Sequence, residues 1–264
     1  MARVIAIASQ KGGVGKTTST INLAASLATL KQRTLVIDLD EQNAVGFGLG
    51  LTRTQMQQGI YEVFMAKNKL REVIQPTPLP TLKVIPYGQG TLADDFEKFV
   101  RQKGSAPLLK KYVDAVRRSC DFILIDCPPG MGDMTIYALS ACDAVLVPMQ
   151  AEPLSLKTLT QILKIIRKVR RNVNKNLVIE GLLLTMYDET YRISREVAKQ
   201  VWATFPEEIV FRNVIPRCEE FSASFAIGRP IIMQDPRSEI AQAYLRLARE
   251  ILKKAQALDN KKSD

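Results

Sequence analysis

The sequence predicts a single α/β domain in which a mostly parallel, twisted sheet carries helices on both faces. Short apolar segments recur along the 264-residue chain, and they are continuous rather than alternating, which is typical of strands buried on both faces. Segments with helical periodicity separate most of these strands, as in proteins built from strand–helix–strand units. A glycine-rich loop lies between the first strand and the first helix, where domains of this class hold phosphate groups.

The individual elements follow from these patterns. The predicted strands are Arg3–Ala8, Thr34–Asp38, Leu82–Ile85, Phe122–Asp126, Ala144–Pro148 and Val178–Leu184. The predicted helices are Thr18–Leu30, Leu108–Arg118, Ser155–Arg171, Ser194–Ala203 and Glu239–Lys254. Three prolines within residues 75–80 predict a loop there. We predict one domain over residues 1–258 and a polar tail over residues 259–264.

The composition narrows the classes of function. With 37 Lys and Arg against 27 Asp and Glu, the net charge is +10, which indicates a polyanionic partner or, alternatively, a basic solubility surface. The chain has no histidine, which excludes a histidine general base and any histidine-ligated metal. Its four cysteines form no C-x-x-C pair, and no secretory signal or membrane span is evident. We therefore expect a cytoplasmic protein with reduced thiols.

The loop after the first strand has the composition of a phosphate-binding loop. Glycines let backbone N–H groups converge on phosphate oxygens, and the following helix directs its positive end toward the same anion. Lys16 can reach the β- and γ-phosphates, and the Thr17 hydroxyl can ligate Mg²⁺. The residues expected to contact nucleotide are Lys11, Gly12, Gly13, Val14, Gly15, Lys16, Thr17 and Thr18.

This loop resembles the deviant Walker A motif of the ParA/MinD group of ATPases. Gln10 replaces the first glycine of the general motif, and a second lysine, Lys11, stands at the head of the loop. The resemblance implies a P-loop NTPase fold of the deviant Walker A type. It also implies a homodimer that sandwiches ATP, in which Lys11 reaches the nucleotide of the other subunit.

Further stretches are similar to Soj-type ParA proteins, so that the resemblance extends from residue 3 to about residue 254. Asp40 follows the second strand in a D-x-D stretch, and the resemblance gives it the role of positioning the attacking water. Asp126 ends a strand in a stretch that resembles Walker B, and with Thr17 and Asp40 it is implied to hold Mg²⁺. Pro216 and Cys218 correspond to residues that line the adenine pocket, although the family usually has Asn where Cys218 stands.

Other branches of the ParA/MinD group carry features that this sequence lacks. The phosphate loop begins near residue 10, so we expect no preceding helix-turn-helix domain. Residues 253–259 lack bulky apolar side chains such as Phe or Trp, which a MinD-type membrane helix would insert, so we expect no stable membrane association. We interpret the four cysteines as small apolar core residues rather than ligands of an iron–sulfur cluster.

Two sets of basic residues are candidate DNA contacts. The basic stripe, defined as Lys157, Lys164, Lys168 and Arg171, falls on one face of a helix, within a segment from 154 to 177 that contains no acid. Non-specific DNA binding by the family instead favours the C-terminal set, defined as Arg192, Arg195, Arg229, Lys253 and Lys254. Glu219 and Glu220 stand where the family has a DNA-binding arginine, so the footprint differs from that of the family. We favour the C-terminal set and keep the stripe as the alternative.

The resemblance as a whole implies a ParA-like ATPase with ATP, ADP and Mg²⁺ as cofactors. Its ATP-bound homodimer would bind nucleoid DNA without sequence preference. A ParB-like or other adaptor protein would stimulate slow hydrolysis, so that cycling segregates or positions a chromosome, a plasmid or a protein cluster. Two alternatives stay open, namely a MinD-like membrane-associated regulator and a nucleotide-dependent scaffold that does not bind DNA.

Overall fold

The computed structural model describes residues 1–89, 106–218 and 220–263, and these contain a seven-stranded sheet of order β3-β4-β2-β5-β1-β6-β7. Its strands are β1 (Arg3–Ile7), β2 (Thr34–Asp38), β3 (Gln75–Pro76), β4 (Leu82–Ile85), β5 (Phe122–Asp126), β6 (Ala144–Gln150) and β7 (Val178–Thr185). All neighbouring pairs are parallel except β3 with β4. The predicted α/β class and all six predicted strands are confirmed.

Helices cover both faces of this sheet. They are α1 (Lys16–Thr29), α2 (Ala44–Gly48), α3 (Ile60–Phe64), α4 (Ala106–Val116), α5 (Asp133–Ala141), α6 (Pro153–Asn172), α7 (Arg192–Thr204), α8 (Glu220–Ala226), α9 (Ile231–Gln234) and α10 (Glu239–Ser263). Short 3₁₀ turns occur at Leu70–Glu72, Arg117–Ser119 and Glu207–Ile209. Helix α10 continues beyond Lys254 into the segment predicted as a tail, and the boundary at residue 258 stays a prediction. Within the described ranges, no helix combines the length and apolarity that crossing a membrane requires.

The core consists of two apolar layers separated by the sheet. Strand β1 shows this directly, because Val4 and Ala6 belong to one layer whereas Ile5 and Ile7 belong to the other. The first layer is completed mainly by α3 to α7, and the second by α1, α9 and α10. The continuous apolar strands are therefore buried on both faces, as their sequences predict.

The segment 75–80 corrects one prediction. Gln75 and Pro76 form an antiparallel pair with Val84 and Lys83 of β4, although the prolines predicted a loop throughout. Strand β3 lies at the edge of the sheet, where proline is tolerated because an edge strand has one side without a neighbour.

Residues 210–217 continue the sheet beyond β7 without forming a regular strand. Parallel bridges join Leu182 to Val210 and Tyr187 to Pro216, and Phe211 N donates to Leu182 O at 3.0 Å. This pairing brings Pro216 to the carboxyl end of β7.

Gly181 of β7 lies beneath the ring of Phe211 and leaves no room for a larger side chain. A methyl group at Gly181 would lie 2.4 Å from Phe211 Cε2. We expect Gly181→Ala to lower the free energy of unfolding by about 1–3 kcal/mol through overpacking, measured by denaturant titration. Gly12→Ala is the control, because its nearest contact would be an ordinary 3.8 Å. An unchanged midpoint for Gly181→Ala would show that Phe211 does not pack there.

Candidate functional site

The site lies at the carboxyl edge of the sheet, where five parallel strands end side by side. Asp38 of β2 pairs in register with Asp126 of β5, and Asp126 pairs with Ile7 at the end of β1. Gln150 and Thr185 end β6 and β7 and pair with each other. Ligands of open α/β sheets bind at this edge, so polar side chains from separate parts of the sequence meet where a ligand is expected.

The glycine-rich loop crosses this edge and passes directly into α1. Gly13 and Gly15 have φ values of +72° and +82°, a left-handed conformation that residues with a side chain rarely adopt. Two neighbouring strands hold the loop, since Thr185 Oγ1 donates to Val14 O at 2.9 Å and Gln150 Nε2 donates to Gly13 O at 3.2 Å. The loop is therefore fixed in shape before any ligand arrives.

Lys16 begins α1, and its residue is only 6% exposed. Burial lowers the pKa of its ammonium group, whereas the nearby charge of Asp126 opposes that shift. The sequence folds so that a cation stands at the positive end of a helix. The positive end of the helix does not stabilise the positive charge of Lys16, and an anion bound at the loop would supply the opposite charge.

Asp126 is completely buried and is held by two threonines of α1. Thr17 Oγ1 donates to one carboxylate oxygen at 2.8 Å, and Thr20 Oγ1 donates to the other at 2.6 Å. Burial raises the pKa of Asp126 to about 6 against these two hydrogen bonds. The Thr17 hydroxyl and a carboxylate thus lie together beside the phosphate loop, which is the pairing that a P-loop magnesium site uses.

Asp38 organises the loop that carries Asp40. Its carboxylate accepts hydrogen bonds from Asp40 N at 3.0 Å and from Val45 N at 3.1 Å, and burial raises its pKa well above the usual value. Asp40 itself is half-buried, and its Oδ1 accepts from Gln42 N at 3.1 Å. Asp40 therefore lies in a loop that the buried Asp38 carboxylate anchors through backbone N–H groups.

Lys11 extends along the surface of its own chain. Its Nζ lies 3.2 Å from Gln150 Oε1 and 3.5 Å from Glu152 Oε2, and both partners in this ion pair are more than 40% exposed. Exposed ion pairs contribute only about 0–1 kcal/mol. Lys11 is thus free to exchange these contacts for others at small cost.

The space in front of the loop fits a phosphate group. Among the described residues, no heavy atom lies within 4 Å of a methyl group built at Gly13, Gly130 or Gly132, so that these glycines border open space there. Backbone N–H groups can therefore approach an anion without side-chain obstruction. Lys16, Thr17 and Asp126 lie where phosphate and a hard cation would be bound.

Comparison with known proteins supports this interpretation of the site. A family model described as an AAA domain matches residues 2–179. The sporulation initiation inhibitor protein Soj of Bacillus subtilis is 39% identical over 251 residues, which cover 95% of this chain and 98% of Soj. The chromosome partitioning protein ParA of Caulobacter vibrioides is 40% identical over 252 residues, covering 95% and 94% of the two chains. The chain belongs to the ParA/Soj family of P-loop ATPases.

A solved structure shows the same fold. It is described as cobyrinic acid a,c-diamide synthase from Mycobacterium smegmatis with bound ADP and magnesium. It is 29% identical to this chain, with a TM-score of 0.81, and the alignment covers 97% of this chain and 96% of that protein. The P-loop NTPase type of the fold, expected from the ParA/Soj resemblance, is thus confirmed.

The residues that the ParA/Soj resemblance assigns to adenine lie beside the end of β7. Arg217 N donates to Tyr187 O at 2.8 Å, which fixes Pro216 and Cys218 on either side of this bond. Pro216 lines a surface cleft of about 660 Å³ between this segment and α10. No phosphate-loop residue lines that cleft in the part of the chain that is described. The Cys218 thiol pairs with Glu220, and burial raises its pKa to about 11.

The structure separates the C-terminal set of this ParA/Soj chain. Arg192 and Arg195 begin α7 at the carboxyl edge of the sheet, whereas Lys254 Nζ donates to Glu180 O and Glu208 O, each at 3.0 Å, at the opposite end. Helix α7 has 13 residues and spans about 20 Å between these ends.

The members of this set also differ in availability. Arg192 pairs with Glu196 at 2.6 Å, and Arg195 donates to Glu189 O. Lys254 contacts the Phe211 ring at 4.4 Å, and burial lowers its pKa, so its ammonium group is engaged inside the protein. Arg229 and Lys253 are exposed, and Glu219 lies outside the described residues.

Sequence reasoning missed several residues of the site. Asp38, Thr20, Gln150, Glu152 and Thr185 contact the loop, its lysine or its carboxylates. Asp38, Gln150 and Thr185 end parallel strands, and Glu152 lies two residues after such an end. A polar residue at the end of a predicted strand is a signal that the sequence contains. Thr20 carries no such signal, because its role depends on the packing of α1 against β5.

Proposed function

We propose that this protein is an ATPase that closes into a homodimer around ATP and Mg²⁺, and that it binds duplex DNA in that state. A ParB-like or other adaptor stimulates slow hydrolysis, and the cycle segregates or positions a chromosome, a plasmid or a protein cargo in the cytoplasm, in association with the nucleoid. The observation that carries this proposal is the convergence of Lys11, Lys16, Thr17, Asp40 and Asp126 on one sheet edge, in a chain that aligns with Soj over nearly its full length.

The loop supports ATP binding through its backbone and Lys16. The N–H groups around Gly13 and Gly15 would donate to oxygens of the β-phosphate, and Lys16 would neutralise charge on the β- and γ-phosphates. Thr17, Asp40 and Asp126 would hold Mg²⁺, directly or through its water shell. A hard cation held there would supply positive charge to offset the negative charge that develops on the phosphate oxygens during hydrolysis.

Asp40 supports hydrolysis by orienting water. The chain has no histidine, so that a carboxylate is the residue type available near the loop to accept a hydrogen bond from the nucleophile. The anchor that Asp38 provides limits the movement of the Asp40 backbone. In the proposed cycle, turnover stays slow until dimerisation and an adaptor complete the site.

Lys11 supports the dimer. Its contacts with Gln150 and Glu152 are exposed and weak, so that it can turn toward a phosphate in the other subunit. ATP would then be the ligand that stabilises the dimer, because the partner's cation meets a phosphate charge that ADP lacks.

Gly12→Val tests this sandwich geometry. In the described part of the chain, a methyl group at Gly12 would meet Pro129 Cβ at an ordinary 3.8 Å and no other atom within 4 Å, so the variant should fold and bind ATP. Across a close dimer interface the larger side chain should clash, and we expect a monomer with ATP. Light scattering after size exclusion measures the mass, with Gly12→Ala as the matched control. A normal ATP-dependent dimer of Gly12→Val would contradict the sandwich.

The full cycle is tested by the rate of ATP hydrolysis. We expect a slow rate for the protein alone and stimulation by duplex DNA together with a ParB-like protein from the same genome. A rate that neither addition changes would contradict partner-stimulated cycling while leaving ATP binding intact.

A further inference from the structure

Helix α6 presents a surface of a single charge sign. Six cations on this helix are exposed, and it contains no acid. They are Lys157, Lys164, Arg167, Lys168, Arg170 and Arg171. The opposite face is buried in the first core layer through Leu159, Ile162, Ile166 and Val169. The helix is therefore fixed in orientation, with its cations directed to solvent.

These six cations form no ion pair within the described part of the chain. Cations elsewhere on the surface commonly form ion pairs with acidic side chains. Arg33 pairs with Asp121 at 2.7 Å, Arg117 with Asp143 at 2.6 Å, and Arg192 with Glu196 at 2.6 Å. The positive field of α6 is thus not neutralised by neighbouring acids, and an external anion would not need to displace one.

The dimensions of this surface suit a nucleic acid backbone. From Lys157 to Arg171 the helix rises about 21 Å, which corresponds to about six base pairs of duplex at 3.4 Å each. Lysine and arginine side chains bind phosphate without reading bases, so that contacts of this kind are independent of sequence.

The residues of α6 favour duplex DNA over two other anionic partners, a single-stranded nucleic acid and a lipid bilayer. The helix contains no aromatic residue, so it offers no stacking platform for the bases of a single strand. Its apolar face is occupied by the protein core, so it cannot insert that face into a bilayer.

We propose that the α6 surface, the six cations given above, carries the phosphate contacts to duplex DNA, with the basic stripe along one side of that surface and Arg167 and Arg170 beside it. This placement rests on the proposed function, in which the ATP-bound dimer binds DNA. It differs from the C-terminal set favoured by the sequence, in which Arg192 and Lys254 lie near opposite ends of α7 and are engaged by Glu196, Glu180 O and Glu208 O.

The test compares two double variants by fluorescence anisotropy of a labelled duplex, with ATP and Mg²⁺, over a series of salt concentrations. Lys164→Gln with Lys168→Gln removes two contacts per subunit, or four per dimer. We expect at least a tenfold loss of affinity and a salt slope that is shallower by about 3.6, at ~0.9 per contact. Arg192→Gln with Arg195→Gln is the matched variant, and we expect its salt slope to stay within about one contact of the wild type.

The outcomes separate this inference from the function on which it rests. The α6 placement would be overturned if the α6 double variant binds duplex like the wild type while the α7 double variant loses binding. That result would leave ATP-dependent DNA binding itself intact. Wild-type protein that dimerises with ATP but binds no duplex at low salt would overturn DNA binding itself. Melting temperature and ATP affinity, measured on both variants, verify that each is folded.

Discussion

Lys16→Ala is expected to abolish ATP binding, with affinity falling at least about 100-fold. Hydrogen bonds to charged groups contribute about 1.5–3 kcal/mol each, and Lys16 is placed to make two of them, to the β- and γ-phosphates. Lys16 is buried at the start of α1, directly after the glycines of the loop. Equilibrium titration with a fluorescent ATP analogue measures the effect.

Lys11→Ala is the matched control for this experiment. It removes the other lysine of the same loop, which is exposed and contacts Gln150 and Glu152 rather than the buried pocket. We expect it to bind the analogue close to wild-type affinity as a monomer but to lose the ATP-dependent dimer. Wild-type affinity in Lys16→Ala would show that the loop is not the nucleotide site.

Asp40→Ala is expected to lower the rate of ATP hydrolysis by about 10²–10⁴-fold while ATP binding persists, since a positioned proton acceptor contributes about that factor. The protein should accumulate as an ATP-bound dimer, because the step that releases the subunits is blocked. Phosphate release gives the rate, and light scattering gives the mass in the same buffer.

Glu41→Ala provides the comparison for Asp40→Ala. It removes the adjacent carboxylate, which is exposed and lies one residue further along the same loop. We expect its turnover to stay within a few-fold of the wild type. Normal hydrolysis by Asp40→Ala would transfer the water-positioning role to Asp126 or to a backbone group.

The fold and the phosphate loop could be predicted because their signals are local. Continuous apolar runs and helical periodicity predict the six buried strands and the helices between them, and the glycines before Lys16 predict the left-handed turns of the loop. Strand β3 could not be predicted, because its edge position comes from pairing with β4 and not from its own residues.

Parts of the site depend on contacts between distant segments. Thr185 reaches Val14 across 171 positions of the chain, and Gln150 reaches Gly13 across 137. Lys254 resembles an exposed cation in the sequence, yet it is bound to two backbone carbonyls and to the ring of Phe211. The DNA footprint proposed from the structure therefore differs from the one that the sequence favours, because charge pattern alone does not show which cations are already engaged.

Binding of duplex DNA by the wild-type protein, compared in ATP and in ADP, is the decisive measurement for the proposed cycle. In that cycle, ATP joins two basic surfaces into one dimer, and hydrolysis separates them. Anisotropy of a labelled duplex of arbitrary sequence at low salt, with Mg²⁺ present, should show tight binding in ATP and at least about tenfold weaker binding in ADP. Equal affinity in the two nucleotides, or no binding in either, would contradict an ATP-switched DNA-binding cycle.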